Sequence, residues 1–266
     1  MYLKTFIENI EDKFPKSLAA DWDNVGLLCG RLQKQITNVY VALDATEYVI
    51  ADAIKKNTDL LITHHPLIFK PVSTITNADF IGRRLISLIT SDIAYYAIHT
   101  NYDVTNMRII AAKMLGIKNP VVLDEQGFPD DSSDDENPGI KGFGAFGEVN
   151  ETTLEEYAKS VKNRFGLSNV RFFGNPRQKI TRVAIGPGSG ESMIKAAISK
   201  KADVIITGDV SHHAGIDAVA SGTAVIDAGH YGIEQIFVND IKSFMKRTFP
   251  ELTVYAAPKG EPFITI

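Results

Sequence analysis

The sequence predicts an α/β fold of two related lobes, each with a mostly parallel sheet flanked by helices. Short apolar runs alternate with helical patterns, the two halves of the chain share one rhythm, and an acidic segment separates them. Alternation of this kind favours parallel strands joined by helical crossovers. We therefore divide the chain into an N-terminal α/β lobe (1–123), an acidic linker or loop (124–139) and a C-terminal α/β lobe (140–266).

The N-terminal lobe begins with an amphipathic helix, because apolar residues recur there at helical spacing. These residues are Leu3, Phe6, Ile7, Ile10 and Phe14. Apolar β-rich runs predict strands, and the amphipathic segments between them predict helices. The strands are 37–44, 59–63, 93–98 and 120–123, and the helices are 46–56, 79–89 and 107–115. Gly116 is expected to end the last of these helices.

The C-terminal lobe repeats this alternation. Its predicted strands are 142–149, 170–173, 180–185, 203–207, 224–227, 252–256 and 263–266. Its first predicted helix ends at Phe165, and Thr152 and Glu155 are spaced like a capping box at its start. The other predicted helices are 191–200, 212–220 and 233–246. The segment DLLITHHP at 59–66 parallels DVIITGDVSHH at 203–213. This similarity indicates an internal pseudo-repeat and predicts a cleft between two similar lobes.

Composition excludes several classes of protein. The chain of 266 residues has a net charge of −4, so no overall basic field favours nucleic acid. No apolar run is long enough to cross a bilayer, and the N-terminus lacks the pattern of a signal peptide. Cys29 is the single cysteine, which excludes an intrachain disulfide and fits a cytoplasmic protein. A packed thiol is favoured over a nucleophile at this position.

Three further features leave alternatives open. The acidic, Pro-, Gly- and Ser-rich segment 124–139 is typical of a mobile linker or exposed loop, and an acidic metal trap is the functional alternative. The GPGSG segment at 186–190 fits either a plain strand-to-helix turn or an anion cradle. Trp22, the only tryptophan, fits a core or interface anchor, with substrate stacking as the alternative.

All six histidines follow predicted strands. They are His64, His65, His99, His212, His213 and His230. Ligands of parallel α/β sheets bind outside the carboxyl ends of the strands, so this placement favours a shared site. His64 and His65 are adjacent in an extended segment before Pro66, and neighbouring side chains there point apart, which suits two different metals. A turn with hydrogen-bonded imidazoles is the alternative.

Two carboxylates complete the candidate metal site. Asp103, in HTNYD, is expected on a short loop where it could bind one ion, with capping of the helix near Met107 as the alternative. Glu234 stands four residues after His230 and shares a helix face with it if the helix has begun; a surface pair is the alternative. We expect Glu234 to bridge two ions. Five such ligands fit two divalent ions about 3.5–4 Å apart.

The segments WDNVGLLCG, LLITHHPLIF, HTNYD, VIITGD and DAGHYGIE, in this order and spacing, resemble the GTP cyclohydrolase 1 type 2 homologues, also known as NIF-three-like proteins. The resemblance covers essentially the whole chain. It implies two related α/β lobes, a dinuclear divalent-metal site in the cleft between them and a ring-shaped homohexamer. Many relatives carry a domain inserted between the lobes, and this chain resembles the short form, with only the acidic loop there.

Carried over by motif, the resemblance implies five metal ligands: His64, His65, Asp103, His230 and Glu234. It also implies that His99 and His213 lie near the metals, but it does not make them ligands. We assign both as candidate catalytic proton shuttles. The cofactors would be two divalent metal ions per chain, such as zinc, iron or manganese.

The leading functional hypothesis is a metal-dependent hydrolase whose nucleophile is a metal-activated water. The family name suggests GTP ring opening, and a phosphoester or another cyclic amide would suit the same site, so a small molecule such as a nucleotide is the expected substrate. The alternative is a non-enzymatic metal-handling or regulatory scaffold that binds protein partners. Binding of nucleic acid is a weaker third hypothesis, because the chain is acidic.

Overall fold

The computed structural model describes residues 1–125 and 142–264, which form two compact units. The first unit comprises Met1–Tyr102 and Phe237–Gly260, and the second comprises Asp103–Ile236 and Glu261–Ile266. These bounds differ from those of the predicted lobes, because a strand near the C-terminus pairs within the first unit's sheet. The division into lobes stays a prediction. Residues 126–139 of the predicted acidic linker lie outside the described residues.

The strands are β1 (Gly26–Cys29), β2 (Asn38–Ala42), β3 (Leu60–Thr63), β4 (Ala94–Ala97), β5 (Lys118–Asp124), β6 (Phe143–Thr153), β7 (Arg171–Phe173), β8 (Lys179–Ile185), β9 (Val204–Thr207), β10 (Ala224–Asp227) and β11 (Thr253–Ala256). The α-helices are α1 (Leu3–Lys13), α2 (Glu47–Lys55), α3 (Phe80–Thr90), α4 (Thr100–Tyr102), α5 (Arg108–Leu115), α6 (Leu154–Phe165), α7 (Ile194–Ser199), α8 (His212–Ala220) and α9 (His230–Thr248). Both units therefore mix helices with a sheet, which confirms the predicted α/β class.

The first sheet has the strand order β1-β4-β3-β2-β11. Three of its four pairs are parallel, and only β1 runs antiparallel to its neighbour β4. Every residue of β3 and β4 is buried, as expected for parallel strands covered on both faces. Helices α2 and α3 pack on this sheet through apolar side chains that include Val49, Ile50, Leu85 and Leu88. The mostly parallel arrangement is confirmed in this unit.

The second sheet has the order β5-β6-β8-β9-β10-β7. Only the pairs β8–β9 and β9–β10 are parallel, while the other three pairs are antiparallel. This sheet is therefore mixed rather than mostly parallel. Its core resembles that of the first unit, because Ile205 and Val225 from adjacent parallel strands pack with Ile194 and Ala197 of α7.

Several predicted bounds need correction. Thr153, not Thr152, caps α6, because its side-chain oxygen accepts a hydrogen bond from the Glu156 amide at 3.3 Å. Helix α9 begins at His230, three residues earlier than predicted. The predicted strand 263–266 was wrong at residues 263–264, which pair with no strand of the described residues. Pro262 before them has no N–H to donate to a ladder. Residues 265–266 lie outside the described range.

The segment after β4 is helical, which the sequence did not predict. Helix α4 leads into a π-helical turn, Asp103–Met107, which continues into α5. The prediction that Asp103 lies on a short loop was therefore wrong. None of the helices in the described part of the chain is both long and apolar enough to span a membrane.

Gly116 ends α5 in the left-handed conformation, with φ +71°, as the sequence predicted. A side chain there would meet only the guanidinium of Arg164 at ordinary contact distance, so the effect of a substitution should be conformational. We expect Gly116→Ala to lower the free energy of unfolding by about 1–2 kcal/mol. Gly116→Asn should lower it less, because asparagine tolerates this conformation better. Urea unfolding measures both; equal stability of the two variants would contradict this explanation.

Candidate metal centre

In the first unit, the carboxyl ends of three adjacent parallel strands carry the candidate site. The register pairs Thr63 of β3 with Ala42 of β2 and with Ala97 of β4. The residues that follow these positions therefore emerge at one edge of the sheet. They are Asp44 after β2, His64 and His65 after β3, and His99 after β4.

Hydrogen bonds of the Tyr95 hydroxyl fix the turn that carries His64 and His65. This hydroxyl lies 2.6 Å from the hydroxyl of Thr63 and 2.9 Å from the carbonyl oxygen of His65, and it accepts a hydrogen bond from the Leu67 amide at 2.7 Å. Burial raises the pKa of Tyr95 to about 12, so its hydroxyl stays protonated and can donate. The backbone on both sides of the histidine pair is thereby fixed.

His64, His65 and His99 form a group that could hold a metal ion, because one ring nitrogen from each lies within 4.8 Å of the others. His64 is fully buried, and the other two rings are partly exposed. The ring centroid of His64 lies 5.0 Å from that of His65 and 5.0 Å from that of His99. The family resemblance implies that His99 lies near the metal ligands, and the structure places its ring beside those of two predicted ligands, His64 and His65.

A hydrogen bond orients each of these rings through Nδ1. The Nδ1–H of His64 donates to the carbonyl oxygen of Ile98 at 2.9 Å, and that of His65 donates to Asp44 at 2.8 Å. The Nδ1–H of His99 donates to Asp23 at 2.9 Å. When the proton of a neutral imidazole is on Nδ1, Nε2 carries the lone pair that a metal needs. Metal-binding histidines are typically oriented in this way.

Asp23, which accepts the hydrogen bond from His99, has a lowered pKa. Burial alone would raise the pKa of Asp23, but hydrogen bonds from His99 and from the side chain and amide of Thr100 lower it to about 2. The side chain of Asp23 is completely buried. Asp23 is therefore an anion at neutral pH, and its hydrogen bond holds the ring of His99 in place.

In the second unit, Asp209 follows β9, and His230 follows β10 and begins α9. The Nδ1–H of His230 donates to Asp209 at 2.8 Å, and Nε2 of His230 lies 2.9 Å from a carboxylate oxygen of Glu234. Glu234 is buried, one helical turn after His230, which confirms that the two residues share a helix face. Nε2 of His230 and a carboxylate oxygen of Glu234 are therefore close enough to bind the same ion.

Glycines make room for this pair. A Cβ added to Gly188, which has φ +73°, would overlap Oε1 of Glu234 and lie 3.6 Å from Nε2 of His230. A Cβ on Gly208 would overlap the backbone of His230. Gly188 lies in the GPGSG segment, where the sequence left open a turn or an anion cradle. Here the turn lies against the negatively charged carboxylate of Glu234, which would repel an anion.

The other predicted site residues stand as follows. Asp103 is half-buried at the start of the π-helical turn in the second unit. His213 is exposed in the first turn of α8, with its ring 5.3 Å from that of His212. Convergence of His64, His65, Asp103, His230 and Glu234 on one pair of ions stays a prediction, as do the catalytic roles of His99 and His213.

The sequence analysis missed the three carboxylates that orient imidazoles. Asp44 and Asp209 each follow an apolar strand by two residues, in VALD and IITGD, so a search for acidic residues at strand ends would have found both. Asp23 offers no such signal. It lies 76 residues before its partner, His99, and only the fold brings the two together.

A family model described as Duf34/NIF3 (NGG1p interacting factor 3) matches residues 1–260. The chain belongs to the Duf34/NIF3 family. A GTP cyclohydrolase 1 type 2 homolog of Clostridium perfringens is 37% identical over 237 residues, which cover 88% of this chain and 87% of that protein. One of Lactococcus lactis is 34% identical, with 100% of both chains covered.

Solved structures show the same fold. A hypothetical protein of Staphylococcus aureus superposes with a TM-score of 0.89 at 32% identity, covering 100% of this chain and 99% of that one.

The imidazole and carboxylate groups described above in this Duf34/NIF3 chain are suited to binding a divalent cation. Neutral imidazoles with carboxylates are typical ligands of zinc and of other borderline ions. The oriented imidazole nitrogens and the carboxylate that Gly188 accommodates fit such an ion.

Removing the charge that orients an imidazole should weaken metal binding. We expect Asp44→Asn and Asp209→Asn each to lower metal affinity by about 10- to 100-fold, because the amide cannot hold the Nδ1 proton as a carboxylate does. Asp92→Asn is a matched control, since Asp92 shares the left-handed backbone of Asp209 (φ +50° and +56°) and pairs with Arg31 instead. Competition with a chromophoric chelator measures the affinities. Equal loss in all three variants would contradict an orienting role.

Proposed function

We propose that this chain is a dinuclear divalent-metal protein and, most specifically, a metal-dependent hydrolase. The observation that carries the proposal is the orientation of its histidines. Four imidazoles, those of His64, His65, His99 and His230, each engage Nδ1 with a carbonyl or carboxylate oxygen and so direct Nε2 elsewhere. Structural histidines do not need this uniform arrangement, whereas metal ligands do.

The proposed ligands are His64 and His65 from the first unit and Asp103, His230 and Glu234 from the second. Charge supports including both carboxylates. Two divalent ions held close together repel each other, and neutral imidazoles cannot offset that repulsion. Glu234 is buried with one oxygen 2.9 Å from Nε2 of His230, so the two side chains can offer ligand atoms to the same ion. We propose that Glu234 bridges both ions and that Asp103 serves one.

Bound divalent ions would supply a water that is deprotonated near neutral pH and a Lewis acid for a substrate oxygen. Proton transfer would fall to the chain's own imidazoles. His99 is the stronger candidate, because buried Asp23 holds its Nδ1 proton and stabilises the imidazolium that forms when Nε2 takes up a second proton. His213, exposed on α8, is the second candidate.

The substrate class we propose is a small molecule with a hydrolysable bond next to a ring or phosphate. The relatives' name, GTP cyclohydrolase 1 type 2 homolog, supports opening of a nucleotide's imidazole ring. A phosphoester or a cyclic amide suits the same chemistry. The alternative function is a metal-handling or regulatory scaffold without turnover, which exchangeable, tightly bound metal and an inactive hydrolase screen would favour.

Glu234→Gln tests the bridging role. The substitution keeps the shape of the side chain and removes its charge, so we expect the protein to lose at least one of two ions per chain while remaining folded. His213→Ala should keep both ions and impair only turnover. Elemental analysis of the purified proteins, beside circular dichroism, gives the answer. A Glu234→Gln protein that binds two ions with unchanged affinity would exclude the bridge.

We further propose that the chain works in the cytoplasm as a homohexamer. A reducing compartment suits its single cysteine, half-buried at the end of β1, where burial raises the pKa of the thiol. The hexamer rests on the family resemblance. Light scattering should give a mass about six times that of the 29.2 kDa chain. A stable monomer at micromolar concentration would contradict it.

A further inference from the structure

Two large aromatic side chains in the first unit are exposed and in contact with each other. Trp22 is 61% exposed and Phe69 46% exposed. Their ring centroids lie 5.8 Å apart, and the rings are tilted by 48°. Single exposed apolar residues are normal on protein surfaces, but a contiguous aromatic surface marks a site of interaction more often.

The segments that carry these rings are fixed by hydrogen bonds. The side-chain amide of Asn24 donates to the carbonyl oxygen of Ile68 at 2.5 Å, which ties the residues near Trp22 to those before Phe69. Asp23, next to Trp22, is buried and accepts two hydrogen bonds from Thr100. The aromatic pair is therefore held exposed by a rigid backbone, which reduces the entropy that a ligand would have to overcome.

The pair also borders the candidate metal centre. The ring of Trp22 makes an edge contact with that of His99, at 6.0 Å between centroids and 72° between planes. Asp23, the neighbour of Trp22 in sequence, holds the other side of the same imidazole. An aromatic surface thus begins beside the residue that we propose as proton shuttle.

We infer that Trp22 and Phe69 form a stacking subsite for the planar nitrogen heterocycle of a substrate, of the purine class. An exposed indole offers a π-face on which the planar ring of a nucleobase stacks in the offset arrangement that aromatic pairs prefer. An aliphatic group would gain only apolar contact there. The inference rests on the proposed function, because it assigns the ring to the molecule on which the neighbouring imidazoles act.

Trp22 is the only tryptophan in the chain, so its fluorescence reports on this subsite alone. We would titrate the full-length protein with guanosine 5′-monophosphate and, as a control without a ring, with ribose 5-phosphate. Saturable quenching is expected with the nucleotide and not with the sugar phosphate. The titration is run on the protein as purified and after treatment with a chelator, and stacking should survive the removal of metal.

Variants separate stacking from other causes. In equilibrium dialysis, Trp22→Leu and Phe69→Leu should each weaken nucleotide binding by about 5- to 100-fold, and Trp22→Phe should retain part of it. Tyr2→Leu is the matched control, because Tyr2 is 54% exposed and pairs with Gln35, before the start of β2, at the opposite end of the strands. Circular dichroism checks that each variant is folded.

The outcomes distinguish this inference from the proposed function. Two ions per chain without saturable quenching would overturn the stacking subsite and leave the metal proposal standing. Saturable quenching in a protein that binds no metal would overturn the metal proposal and leave the subsite. Tryptophan emission that shifts on dilution, with no response to the nucleotide, would show that a second copy of the chain covers the pair, and would also overturn the subsite.

Discussion

Parallel, in-register pairing of adjacent strands is the constraint on which both clusters depend. Because Thr63 lies beside Ala42 and Ala97, the residues that follow three strands emerge together at one edge of the first sheet. In the second sheet, Thr207 lies beside Asp227, and this pairing brings Asp209 within hydrogen-bond distance of His230. A slip of one residue would turn each side chain to the opposite face of its strand and scatter the donors. The register is itself fixed by burial, since β3 and β9 have no exposed residue.

The second common feature is that oxygen atoms of the protein orient the imidazoles. Asp44 holds His65 in one unit and Asp209 holds His230 in the other, each at 2.8 Å. Both carboxylates are about half exposed, so solvent weakens these hydrogen bonds, but each still favours one orientation of the ring. The two units therefore share more than their order of strands and helices. Each places a carboxylate two residues after a strand and an imidazole against it, but the strands are β2 and β3 in the first unit and β9 and β10 in the second, so the two pairs do not coincide with the pseudo-repeat of β3 and β9.

Much of this could be predicted from the sequence, and the exceptions have physical reasons. Local patterns suffice where burial and periodicity agree, so α8 and β10 have the predicted bounds. They fail where the outcome depends on distant partners. HTNYD shows no helical periodicity, yet Asp103 is helical because α4 and α5 run together through a π-helical turn. The antiparallel pairs of the second sheet and the contact between Asp23 and His99 likewise depend on tertiary structure, which spacing does not encode.

Asp209 has a consequence for the mutational tolerance of this chain. Its backbone is left-handed, at φ +56°, a conformation that glycine, asparagine and aspartate adopt more readily than other residues. Folding thus restricts the position to a few residue types, while the hydrogen bond to His230 requires, within that set, the one that is negatively charged. Selection for backbone conformation alone would therefore accept glycine, asparagine or aspartate at this position, whereas selection for an oriented imidazole would favour aspartate.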